Sequence, residues 1–140
     1  MNDASSFIHF RSGDWRRRRH AGPVELVLLD SDVSRQSAFV RAARRLGVRV
    51  RIAANIEELR EALVTLTPDL AVSVHSHVRS SDGELSNDVT ELASVLQRRP
   101  WQCNWAVFTE DAISECVARE GPPSGVEQLL LEMDVSLTPN

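Results

Sequence analysis

The sequence predicts an α/β protein built on a doubly wound parallel sheet, and three observations predict it. Short apolar, partly β-branched runs recur at residues 24–29, 70–74 and 105–108, too short for helices and suited to buried strands. Between them lie longer segments whose apolar residues return at i, i+3, i+4 and i+7. Strand and helix alternate along most of the chain, the pattern of parallel strands joined by right-handed crossovers, with helices on both faces.

The first strand, Val24–Leu29, runs straight into Asp30-Ser31-Asp32. It therefore delivers acids to its carboxyl end, the edge of an open α/β sheet where ligands and chemistry are found. Asp32 or Ser31 caps a helix over about 33–46, with Phe39, Ala42, Ala43 and Leu46 on its apolar stripe and Gly47 as its stop. Val48-Arg-Val-Arg-Ile52 alternates strictly, so two arginines share one face, which suits an edge strand.

Asn55 followed by Glu58 is a capping-box pattern. It opens a helix burying Ile56, Leu59, Leu63 and Leu66, ended before Pro68. Leu70–Val74 is a buried strand, 75–85 a polar loop containing Asp82-Gly83, and 87–97 a helix burying Val89, Leu92, Ala93 and Leu96. Trp105–Phe108 is a fourth strand, ending at Thr109. Helices at about 111–119 and 126–133 then follow on either side of Gly121-Pro-Pro-Ser-Gly125, with no apolar strand between them. The weak stretch 134–138 is the candidate for a fifth strand.

Composition bounds the function. The chain has 140 residues, 42% hydrophobic and 26% charged, with a net charge of −4, as expected for one globular domain. That net charge is unevenly spread. Residues 1–20 carry five Arg against two acids, giving +3; the rest carries eleven Arg against eighteen acids, giving −7. An acidic body argues against nucleic acid binding across its whole face. Residues 1–22 read as a basic, flexible arm, and 23–140 as the folded domain. Arg16, Arg17, Arg18 and Arg19 could draw nucleic acid or another anionic surface by a salt-sensitive attraction. Cys103 and Cys116 lack metal-type spacing, no run is long enough for a membrane span, and a cytoplasmic protein without a cofactor is expected.

Taken together, residues 24–109 resemble a response-regulator receiver domain. The resemblance rests on Val-Leu-Leu-Asp-Ser-Asp at 27–32, Gly47-Val-Arg-Val with Glu57-Glu-Leu-Arg-Glu-Ala-Leu63, Pro68-Asp-Leu-Ala-Val-Ser-Val74, Asp82-Gly83 and Thr109. It implies a flavodoxin-like sheet of order 2-1-3-4, here with the fifth strand displaced or lost. It also implies phosphoryl transfer to an aspartate, which needs an acid pair for Mg²⁺, an acceptor Asp, a Thr or Ser and a Lys. In this sequence Asp30 fills the first acid position, Ser31 the second, and Asp32 follows; Val74 stands where the acceptor belongs; Thr109 matches. All sixteen basic residues are Arg, so the Lys is absent. The expectation is a degenerate, or pseudo-, receiver that cannot accept phosphate on aspartate. Similar domains also occur at the front of larger regulators.

Other constellations are weaker. His75 and His77 could share a face at a strand end, but no third metal ligand follows at a clear spacing, and polar rim histidines are the better account. Ser73, His75 and Asp30 lack the nucleophile elbow and oxyanion motif a triad requires. Trp101, Trp105 and Phe108 pack in the core or rim by default; exposed on an uncovered fourth strand, they would anchor an interface. The expected function is thus a non-catalytic, two-component-like signalling module that binds a protein partner or its own copy. The alternative is an accessory protein binding anions through its arginine arm.

Overall fold

A computed structural model of the chain describes residues 7–10, 24–65, 68–97, 104–121 and 123–132. Five strands and five helices are present among them: β1 Phe7–Phe10, β2 Glu25–Leu29, α1 Val33–Arg45, β3 Arg49–Ala53, α2 Ile56–Thr65, β4 Leu70–His75, α3 Asn87–Gln97, β5 Asn104–Thr109, α4 Glu110–Ala118 and α5 Gly125–Glu132. The sheet order is β1-β5-β4-β2-β3. Its four strands β3, β2, β4 and β5 are parallel neighbours, the 2-1-3-4 order of a flavodoxin-like fold.

Side-chain alternation along β2 explains the layers. Leu26 and Leu28 enter a core with Phe39 of α1, Ile113 of α4 and Leu130 of α5. Val27 points the other way, into a core with Leu59 and Leu63 of α2 and Leu92 of α3. Both faces of the central strand are dry, so its run must be apolar throughout, and each fully buried Leu contributes about 2 kcal/mol. At the sheet's far edge β3 shows the expected split: Arg49 and Arg51 are exposed, while Val50 and Ile52 are half-buried.

The helix ends obey local rules. Gly47 takes φ +78°, a left-handed stop that other residues adopt at a cost. Asn55 Oδ1 accepts the Glu58 N–H at 2.9 Å, and Glu58 reaches back to the N–H of Ala54 at 2.8 Å, one residue beyond the usual box. Leu66, Cys103, Met133 and the stretch 134–138 lie outside the described residues.

One expectation is corrected at the edge beside β5. That place is neither open nor filled from the carboxyl end. Phe7–Phe10 lies there antiparallel, from Phe7 opposite Phe108 to Phe10 opposite Trp105. Four residues of the stretch expected to be a flexible arm are therefore part of the sheet. The physical reason is that β5 needs a partner for its outer backbone groups, and Phe-Ile-His-Phe has strong strand preference. A chain beginning at residue 11 should uncover β5 and self-associate with rising concentration in light scattering, whereas the intact chain should not. Equal scattering by both forms would mean that β1 is dispensable as an edge cover.

Candidate functional site at the carboxyl ends of β2 and β4

Asp30 leaves β2 with its side chain nearly sealed from water, at 3% exposure. A buried carboxylate is costly unless it is paired and hydrogen-bonded. Arg35, one turn into α1, supplies the pairing: Nε donates to Oδ2 at 3.0 Å and Nη2 to Oδ1 at 2.9 Å, a bidentate fork. The Asp32 N–H adds a third donor to Oδ1 at 3.0 Å. Asp30 in turn raises the pKa of the guanidinium, through that hydrogen bond above all.

Asp32 caps α1, its Oδ1 accepting the Arg35 N–H at 3.0 Å, and its other oxygen lies 3.6 Å from Arg35 Nη1. Gln36 donates its side-chain amide to the Asp30 carbonyl. Ser31 is exposed. Asp30 and Asp32, the two acids at the end of β2, are thus organised around an internal cation.

Val74, where the resemblance would place the acceptor, is half-buried and apolar, in register with Phe108. Thr109 is in register with His75, and its Oγ1 accepts the Ala112 N–H at 3.2 Å as the cap of α4. A cavity of about 260 Å³ opens between the ends of β2 and β4 and the helices α2 and α3. Asp30, Ser31, Asn55, His75, Asp88 and Glu91 are its polar lining. It lies where the strand order reverses, β2 leading to β3 on one side and flanked by β4 on the other. A larger cleft of about 460 Å³, between α4 and α5, does not share this lining. There burial pushes the Cys116 thiol up to about 11, with Glu132 adding to the effect, so the sulfur is a poor nucleophile near neutrality.

His75 ends β4 half-buried, with Nε2 3.0 Å from Ser73 Oγ. Ser73 is 1% exposed and accepts the indole N–H of Trp105 at 3.2 Å. Burial lowers the His75 pKa from its ordinary 6.5, and the charge of Asp88 opposes this more weakly. His77 is exposed beyond the strand, Asp82 sits at an exposed turn closed by Gly83 at φ +89°, and no group of three metal-type side chains converges among the described residues. Trp105 and Phe108 are core residues, at 4% and 7% exposure, so neither is an exposed anchor; Trp101 and Arg16–Arg19 lie outside the described residues.

Two partnerships here are not read from the sequence. Arg35 carried a signal: a cation in the first turn of a helix, with no acid in that turn, opposes the macrodipole and calls for nearby carboxylates. Ser73 carried another, because a hydroxyl in a dry strand needs a partner.

Arg35→Met should destabilise the fold by about 3 kcal/mol in urea unfolding, since it strands the Asp30 charge. Adding Asp30→Asn to that variant should restore part of the loss. The sign for His75 follows from its depressed pKa. The unfolded chain takes up the proton at about 6.5 and the folded chain lower, so the contribution of His75 is intact above that pH and declines as pH falls below it. The urea midpoint of the intact chain should therefore fall relative to His75→Gln on acidification through that window.

Among the described residues no helix is long and apolar enough to cross a membrane. Searches against protein-family models, curated proteins and solved structures find no match to the chain.

Proposed function

We propose that this chain is a non-catalytic signalling module, a receiver-like domain that acts by contact with a protein partner or a second copy of itself and independently of aspartyl phosphorylation. The observation that carries this reading is the bidentate pair between buried Asp30 and Arg35. Aspartyl phosphorylation requires carboxylate oxygens free to hold Mg²⁺ beside an acceptor carboxylate. Here those oxygens hold a guanidinium, and the acceptor position is Val74. The hydroxyl of Thr109 is engaged in capping α4, and the chain contains no Lys to neutralise a phosphoryl group. A scaffold that keeps the sheet and lacks these groups is suited to binding. The covered edge at β5 takes away one route to a partner, so the contact surface is sought on the helices or at the cavity mouth.

A second reading is favoured by the charge asymmetry, +3 in residues 1–20 against −7 in the remainder. In it, Arg16–Arg19 bind nucleic acid or an anionic surface and the α/β body serves as their carrier.

Acetyl phosphate with Mg²⁺ should add no phosphoryl mass to the intact protein; a gain of one phosphoryl group would overturn the proposal. Affinity capture with the intact chain and with Arg16–Arg19 replaced by Gln, each with and without nuclease, separates the two readings. Replacement is preferred to deletion because Phe7–Phe10 belongs to the sheet. A protein partner kept by both forms after nuclease supports the docking module, and loss in either treatment supports the arginine arm.

A further inference from the structure

The Ser73 hydroxyl stands between two rings, and its bond to one of them, Trp105, has a required direction. An indole N–H is a donor and never an acceptor, so Trp105 donates to Ser73 Oγ at 3.2 Å. The Ser73 hydrogen is then free to point at His75 Nε2, 3.0 Å away. That needs a neutral imidazole carrying its proton on Nδ1, and it lets the Ser73 hydroxyl accept from Trp105 while donating to His75. An imidazolium carries a hydrogen on both nitrogens. Its Nε2–H would meet the same oxygen, and the Ser73 hydrogen would lose this acceptor inside a site of 1% exposure.

On its open side His75 lines the cavity at the carboxyl ends of β2 and β4. The groups facing it there are Asp30 of the β2 tip, Asp88 and Glu91 of α3, and Asn55 at the head of α2. Asp30 is already matched by Arg35, whereas Asp88 and Glu91 are exposed carboxylates on α3. Thr109, beside His75 in register, is held by its cap.

We propose that His75 is a proton-operated switch: neutral, it holds Ser73 and through it Trp105; protonated, it releases Ser73 and turns toward Asp88 and Glu91. The switch changes the charge of the cavity by one unit and breaks a side-chain tie between β4 and β5. Trp105 lies opposite Phe10 in the sheet register, so the change reaches the strand that β1 covers. This inference stands on the hydrogen-bond chain and does not depend on the signalling reading above.

The test uses the full chain with Trp15→Phe and Trp101→Phe, which leaves Trp105 as the sole emitter. Indole emission and the His75 imidazole resonances are followed from about pH 8 to about pH 5, with circular dichroism confirming that the fold persists. Both signals should move together with one midpoint below 6.5. Asp88→Asn should lower that midpoint further, because a charge that favours the imidazolium is gone. Ser73→Ala should keep the imidazole titration and silence the indole, and His75→Gln should abolish both. Imidazole titration with flat emission in the parent would overturn the switch. An emission change that survives in His75→Gln, or a His75 that stays neutral until the fold is lost, would overturn it equally.

Discussion

The structure turns on the burial of one charge, the Asp30 carboxylate at the tip of the central strand. Left unpaired in that position it would cost several kcal/mol. Its three donors come from the next five residues: the Asp32 N–H and two nitrogens of Arg35. Meeting that demand fixes how the chain leaves β2. Asp32 must turn back to present its N–H, which places its own carboxylate as the cap of α1. Arg35 must lie in the first turn, and Gln36 closes the unit on the Asp30 carbonyl. α1 fully buries Phe39 and Ala43 and packs Ala42 partly against the same core, and this polar junction adds to them in orienting the helix.

The same junction decides what chemistry the strand ends can support. A carboxylate pair becomes a cation site when its oxygens face a common space with free lone pairs. Here the oxygens face an arginine of the same chain, which keeps its charge at any accessible pH and does not exchange with solution. The neighbouring groups are committed in a similar way. Thr109 satisfies the amino end of α4, Ser73 satisfies the Trp105 indole, and Val74 offers no polar atom. Groups that would act on a ligand in one arrangement here complete the hydrogen bonding of the scaffold.

What was legible in the sequence was what repeats. The four parallel strands and five helices follow from periods of two and 3.6, and the ends at Gly47 and Asn55 from local backbone chemistry. What was not legible depends on residues meeting across the fold. Phe7–Phe10 is too short to display a period and lies just upstream of a run of arginines, so its strand character shows when β5 supplies a partner. The Asp30–Arg35 pair spans a strand and a helix, a spacing that neither period brings together. The order of the parallel strands came from a resemblance and from no local pattern. The Trp105–Ser73 bond joins residues 32 apart in sequence and exists because β4 and β5 are neighbours in register.

The two polar units at these strand ends differ in the property that matters for a switch. The Asp30–Arg35 unit is a matched pair, and the arginine half of it is charged whatever the pH. The unit at β4 holds no permanently charged group, and it ends in the one side-chain type whose ordinary titration falls near neutrality. It also ends at a position that is half-buried and half-facing a cavity with two exposed carboxylates. A fully exposed histidine would change charge without consequence for the fold, and a fully buried one would resist changing at all. His75 sits between those limits, next in sequence to the apolar residue where the resembling family would carry its acceptor. If the sheet edge here responds to a charge, a proton on this imidazole requires no donor molecule, no metal ion and no new covalent bond.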